Sequence, residues 1–97
     1  MSVNKTFVIP SVGNEISKLD VKSNQIRITV DFKPYFPEKS KVKIVIDNEY
    51  SCTFTHRVDR SHILRLGKVA AEELGLKPRW SVRFTKMGDS FFKLGGI

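Results

Sequence analysis

Apolar and polar residues alternate along several short stretches of the chain, and this period of two is typical of half-buried strands. The strands predicted from this alternation, or from an apolar stretch that follows a turn, are residues 26–32, 42–46, 50–54, 62–66, 80–84 and 91–94. Turns at Asp47-Asn48 and Met87-Gly88-Asp89 join two pairs of them, which predicts two β-hairpins. A short apolar segment at residues 5–9 precedes all of these stretches.

Two short helices are predicted between the strands. Pro34 suits the first turn of a helix that follows the strand of residues 26–32, and Pro37 ends that helix. Residues 68–74 form the second helix, because Gly75 suits the left-handed position after a last turn. The predicted apolar side of this second helix consists of Val69, Ala70 and Leu74.

The same order of elements occurs twice, as strand, short helix and hairpin, over residues 25–54 and 62–94. Neither unit can bury a sheet face alone, so we expect the two to interlock into one small barrel. The predicted fold is mainly β (α+β): a seven-stranded open pseudobarrel with two short helices, built from two strand–helix–hairpin pseudo-repeats. It forms a single domain over residues 1–97, since a chain of this length has room for one core.

Two polar segments interrupt the pattern, and we name residues 11–22 the first arm and residues 56–62 the second arm. Residues 13–24 are predicted to be a long loop, and long loops in small domains are often functional. Arg, Asp, Ser and His side chains can reach base edges or phosphates, although each arm taken alone is also explained as an ordinary surface loop. The candidate DNA-binding residues are Ser11, Asn14, Ser17, Lys18 and Lys22 in the first arm and His56, Arg57, Asp59, Arg60, Ser61 and His62 in the second.

The net charge of +7 and the pI near 9.8 favour a polyanionic partner, and nucleic acid is the commonest one. Residues 1–53 carry eight Lys and Arg against six Asp and Glu, a net of +2. Residues 54–97 carry nine against four, a net of +5. The excess therefore lies mostly in the second half, within predicted folded elements rather than in a basic tail.

The sequence offers no catalytic or metal-binding constellation. His56 and His62 lack a third ligand at metal spacing, and Cys52 in its predicted strand is expected to be a buried structural thiol. Glu72 and Glu73 are adjacent on a helix, so they point in different directions. We therefore predict no enzyme activity, no cofactor and no metal. The absence of a long apolar run and of a signal peptide favours an intracellular protein.

The aromatic residues divide by predicted face. Tyr35 and Phe91 fall on or near outward positions, where they could stack unpaired bases. The remaining aromatic side chains are expected in the core, namely Phe32, Phe36, Phe54, Trp80, Phe84 and Phe92.

The order of residues resembles that of plant B3-type DNA-binding domains over about residues 7–95. Residues 26–37 (Ile-Arg-Ile-Thr-Val-Asp-Phe-Lys-Pro-Tyr-Phe-Pro) are similar to the family's strand and short helix. Residues 61–67 resemble its next signature, a serine followed by an apolar strand and a glycine, and residues 69–80 resemble its second helix with a Leu-Lys-Pro approach. Residues 82–94 resemble the closing hairpin. The DNA-recognition domains of EcoRII-type restriction endonucleases share this pseudobarrel.

The resemblance implies sequence-specific binding of double-stranded DNA, with two arms that grip the major groove. The presence of two tandem halves in one chain favours a monomer. The first arm would lie within Ser11–Lys22 and the second within His56–His62. We expect Lys and Arg to contact phosphates and Arg57 and Arg60 to contact base edges, with Asn14 or Ser17 as further candidates.

Two positions depart from the plant pattern. Lys68 stands where plant domains usually have tryptophan, and Pro78-Arg79 stands where they often have Gly-Asp. These departures favour a bacterial or phage protein, which would be cytoplasmic, over a eukaryotic and nuclear one. Two alternatives remain open: residues 62–94 also resemble dimeric AbrB-like regulators, and a basic barrel can instead bind a protein or a small ligand.

Overall fold

The structure, a computed structural model, describes residues 5–9, 16–38 and 40–96. The helices in this part of the chain are α1 (Lys18–Lys22), a 3₁₀ helix (Val30–Tyr35) and α2 (Lys68–Leu74). The strands are β1 (Lys5–Ile9), β2 (Gln25–Ile28), β3 (Lys41–Val45), β4 (Glu49–Thr55), β5 (His62–Arg65), β6 (Val82–Gly88) and β7 (Phe91–Gly96). None of the described helices is long and apolar enough to cross a membrane.

The seven strands form one mixed sheet in the order β1-β6-β7-β3-β4-β5-β2. All neighbours are antiparallel except β3 and β7, which run parallel. The sheet curves into a half-barrel whose two edge strands are β1 and β2. The prediction of a mainly β, seven-stranded open pseudobarrel is therefore confirmed, and so are its two hairpins, β3–β4 and β6–β7.

The two pseudo-repeats pair with each other at three places, β2–β5, β4–β5 and β3–β7. Gln25 at the start of β2 lies opposite Arg65 at the end of β5, and Ile28 lies opposite His62. The second arm, which connects β4 to β5, therefore lies at the end of this strand pair where β2 finishes. Helix α1 precedes β2 and so lies at the opposite end of the pair.

Phenylalanine rings from both repeats fill the core. Phe36 stacks on Phe54 and Phe92, with ring centroids 5.2 and 4.6 Å apart, and it meets Phe84 edge-on. All four were predicted to be internal and are buried. Trp80 was also predicted to be internal, and it is only partly buried against this cluster.

The strand predicted for residues 26–32 is too long, because β2 ends at Ile28 and a 3₁₀ helix follows. Side chains three residues apart share a face of such a helix, and this places Phe32 and Tyr35 together against Phe7. Their ring centroids lie 5.4 and 4.7 Å from that of Phe7. Tyr35 is therefore half-buried and packed against the core rather than directed outward. Val30 is left exposed.

Helix α2 has the predicted length but a different buried face. The residues that pack inward are Ala70, Ala71 and Leu74, whereas Val69 is 66% exposed. Gly75 ends the helix with φ +78°, the left-handed conformation expected for it.

Candidate nucleic-acid interface

The base of the second arm is fixed by both main-chain polar groups of Arg57. Its N–H donates to Nδ1 of His62 at 2.9 Å, and its carbonyl oxygen accepts from Nζ of Lys33 at 3.0 Å. The first bond ties the arm to the start of β5, and the second ties it to the 3₁₀ helix. The arm therefore leaves the barrel in a defined direction.

The rings of Phe54, His56 and His62 contact one another at this base. Phe54 at the end of β4 contacts His56 and His62 edge-to-face, with centroid distances of 4.7 and 5.2 Å. The two imidazoles lie 5.0 Å apart. Burial lowers the pKa of His62, and the nearby Lys33 and His56 lower it further. A neutral His62 keeps its Nδ1 lone pair available to the Arg57 N–H.

Beyond Arg57 the second arm extends into solvent. Val58, Asp59 and Arg60 are exposed, and Val58 at 92% is the most exposed large apolar side chain of the described residues. Ser61 and the side chain of Arg57 are half-buried. The candidate residues of this arm therefore divide into an anchored base and an exposed tip that carries one carboxylate and one guanidinium.

The first arm is only partly described: Ser11 and Asn14 lie outside the described residues. The loop predicted for residues 13–24 is wrong between Lys18 and Lys22, which form α1. Ser17 is the N-cap of that helix, and its Oγ accepts the N–H of Asp20 at 3.1 Å while its own N–H donates to Asp20 Oδ2 at 3.1 Å. Ser17 therefore has a structural role, whereas Lys18 and Lys22 are exposed.

Asp20 holds α1 to the sheet, a role that sequence reasoning missed. Its carboxylate is 2% exposed and also accepts from Nε2 of Gln25 at 3.2 Å and from Nε of Arg27 at 3.0 Å. Burial acts to raise the pKa of Asp20, but the hydrogen bonds from Ser17 and Gln25 and the charge of Arg27 outweigh it and lower the pKa. The signal was available, since Ser-x-x-Asp is the spacing of a capping box.

The structure does not bring the described part of the first arm, residues 16–22, into one cluster with the second arm. It places residues 16–22 of the first arm and the second arm at the two ends of the β2–β5 pair, separated along β2 by the four residues from Gln25 to Ile28. At about 3.3 Å per residue, that strand is roughly 10 Å long. Arg27 on β2 and the exposed Arg65 on β5 lie between the arms. The β2–β5 pair and its flanking arms therefore form one candidate binding surface.

The contacts of Cys52 and Glu73, two residues whose side chains can take part in catalysis, indicate structural roles. Cys52 is buried as predicted, its Sγ lies 3.8 Å from the carbonyl oxygen of Leu66, and burial raises the pKa of the thiol to about 11. Glu73 is not simply solvated: it accepts the N–H groups of Asp47 and Asn48 and so holds the β3–β4 turn to α2. No group of three or more His, Cys, Asp or Glu suited to a metal ion occurs among the described residues.

No protein-family model matches the chain, and no curated protein matches it in a sequence search. The geometry and charge of the two arms are therefore the basis for assigning a function.

Proposed function

We propose that this chain is a non-catalytic domain that binds double-stranded DNA with sequence specificity through its two arms. The observation that carries the proposal is the second arm, whose base is bonded through Arg57 to His62 and Lys33 while Asp59 and Arg60 are exposed at its tip. An arm that is ordered before binding loses less conformational entropy when it binds.

The chemistry of the tip suits base edges in the major groove. A guanidinium such as that of Arg60 or Arg57 can donate two hydrogen bonds to guanine O6 and N7, and Asp59 can accept from the N4 amino group of cytosine. Lys18 and Lys22 on α1 suit phosphate contacts, which fix the position of the domain on the duplex without reading sequence.

The positions of α1 and the second arm at the two ends of the β2–β5 pair support a duplex as the partner. They flank a strand pair that is roughly 10 Å long, and the major groove of B-DNA is about 12 Å wide. The resemblance to B3-type domains also supports the proposal, because the open pseudobarrel expected from it is the fold observed. The excess of positive charge adds a third, less specific argument.

The proposal is tested by fluorescence anisotropy with a duplex selected from a random pool and with a scrambled duplex. We expect Arg60→Ala to weaken binding to the selected duplex by about 1–3 kcal/mol and to reduce the preference over the scrambled one. Lys18→Ala should weaken binding to both duplexes alike. Lys93→Ala is the charge-matched control, because β7 lies three strands away from β5 in the sheet.

Salt dependence separates this proposal from the alternatives. Phosphate contacts require affinity to fall steeply as salt rises, so affinity that does not change with salt, or no binding at low salt, would favour a protein-binding or ligand-binding barrel. Equal losses for Arg60→Ala on both duplexes would remove the base-contacting role. Sedimentation that gives a stable dimer would favour an AbrB-like regulator over the monomer proposed here.

A further inference from the structure

An open cleft of about 710 Å³ lies between the second arm and the 3₁₀ helix. The lining residues that bear on its chemistry are Lys33, Phe36, Glu38, His56, Arg57 and His62. Its volume is within the range of about 300–1,000 Å³ that is usual for sites of small organic ligands, and it exceeds what an inorganic anion needs.

Contacts already described fix the positions of the cleft walls relative to each other. The Lys33–Arg57 hydrogen bond fixes the arm relative to the 3₁₀ helix, and the bond from the Arg57 N–H fixes the His62 ring. Contacts of Phe54 with both imidazoles support the same wall. The cleft is therefore preformed, and a ligand would not have to order it.

The charged groups that line the cleft favour an anion. Lys33 and Arg57 are cationic, and Glu38 is the single carboxylate among the described lining residues. Lys33 uses one of its three N–H donors on the Arg57 carbonyl, so two remain for a ligand. Because Nδ1 of His62 is an acceptor, its neutral ring carries a proton on Nε2 and offers one further donor.

Flat and apolar groups line the same cleft beside these donors. The imidazoles of His56 and His62 lie with their planes 69° apart, so a flat base can stack on one of them, and Phe36 is an apolar lining residue. Base–aromatic stacking tolerates any base, because every base has a π-face. A ligand that contacts both the cationic donors and the aromatic residues of the cleft carries a phosphate group and an aromatic ring.

We propose that this cleft binds one unpaired nucleotide, with its phosphate at Lys33 and Arg57 and its base stacked on the imidazole of His56. The choice of a nucleotide among aromatic anions rests on the proposed DNA-binding function. The nucleotide is either free or part of an unpaired strand end next to a duplex that the arms hold.

The first test is a titration of the isotopically labelled protein with deoxyadenosine monophosphate, followed by the amide resonances. We expect shifts concentrated at Arg57, Val58 and His62. Lys33→Gln and His56→Ala should each weaken binding at least about fivefold, as expected from loss of one stacking or phosphate contact. Lys93→Gln on β7 is the matched control and should bind like the wild type. Deoxyadenosine and inorganic phosphate should each bind more weakly than the nucleotide.

Inorganic phosphate that binds as tightly as the nucleotide would overturn the proposal, as would resonance shifts that avoid the second arm. The amide spectra of the two variants report whether each is folded, and either variant alone is sufficient for the test.

Binding at least about fivefold tighter to a duplex with a short unpaired end than to a blunt duplex would identify a strand end as the source of the nucleotide. Equal binding to these two duplexes, with nucleotide binding retained, would identify the free nucleotide. Blunt-duplex binding by the wild type is measured separately, so its failure contradicts the proposed function and leaves the cleft result interpretable.

Discussion

Removal of the Asp20 carboxylate should destabilise the domain strongly, because this buried group accepts hydrogen bonds from Ser17, Gln25 and Arg27. Breaking a buried ion pair typically costs about 3–5 kcal/mol when the partner stays buried. The Arg27 side chain is 35% exposed and can be hydrated again, so we expect about 2–3 kcal/mol for Asp20→Ala. Asp20→Asn keeps an acceptor for the cap and should cost about 1–2 kcal/mol.

Urea and thermal unfolding followed by circular dichroism measure these losses. For a domain of this size, each kcal/mol corresponds to about 4–8 °C in Tm, so Asp20→Ala should lower Tm by roughly 10 °C or more. Asp31→Asn removes the same charge from an exposed position and should change stability by less than about 0.5 kcal/mol. Losses below about 0.5 kcal/mol for both Asp20 variants would refute the reasoning.

The pH dependence provides an independent check on Asp20. Its pKa is lower in the folded state than its ordinary value of 3.8, so the ionised form stabilises the fold above that pH. That contribution is lost as the pH falls through the lower, folded-state pKa. The difference in unfolding free energy between wild type and Asp20→Asn should therefore be constant near neutral pH and shrink in strongly acidic solution.

Three other residues can be tested in the same way. Because the pKa of His62 is lowered in the folded state, its stabilising contribution is present above pH 6.5 and is lost as the pH falls through the folded-state pKa. The protection factor of the Arg57 amide, which is the ratio of the intrinsic to the observed hydrogen-exchange rate at each pH, should therefore fall over that range. Thr29→Val should be neutral or stabilise by up to about 1 kcal/mol in urea unfolding, because the Thr29 hydroxyl is buried with no hydrogen-bond partner among the described residues. Arg79 has φ +63°, so Arg79→Gly should raise Tm by relieving about 1 kcal/mol of backbone strain, whereas a lower Tm would show that its side chain stabilises the fold.

Strand periodicity predicted the sheet well where one face of a strand is buried and the other is exposed. Along β6 and β4, alternate residues such as Val82 and Phe84, or Cys52 and Phe54, are buried as the pattern indicates. The same pattern failed after Ile28. Apolar residues occur there at spacings of both two and three, so the pattern is compatible with a strand or with a 3₁₀ helix. In the 3₁₀ helix, Phe32 and Tyr35 both contact Phe7.

Contacts between distant parts of the chain explain what periodicity could not predict. The Glu73 carboxylate is an ordinary helix-surface group by sequence, yet it accepts three hydrogen bonds from Asp47 and Asn48, which lie 26 and 25 residues earlier in the chain. The Lys33–Arg57 bond at the candidate interface likewise joins residues 24 apart. Local patterns carry no information about such partners. The capping box at Ser17 is different, because its signal is local.

The pairing of β1 with β6 has a consequence for the order of folding. Phe7 lies opposite Phe84, so an edge of the sheet forms only when segments more than 70 residues apart in the chain have met. Pairings of such long sequence separation make folding slow, since chain entropy is lost before the contacts compensate for it. During synthesis, β1 leaves the ribosome long before its partner exists. Until β6 emerges, β1 is a strand with unpaired main-chain groups, and this is the interval in which the chain is most exposed to aggregation.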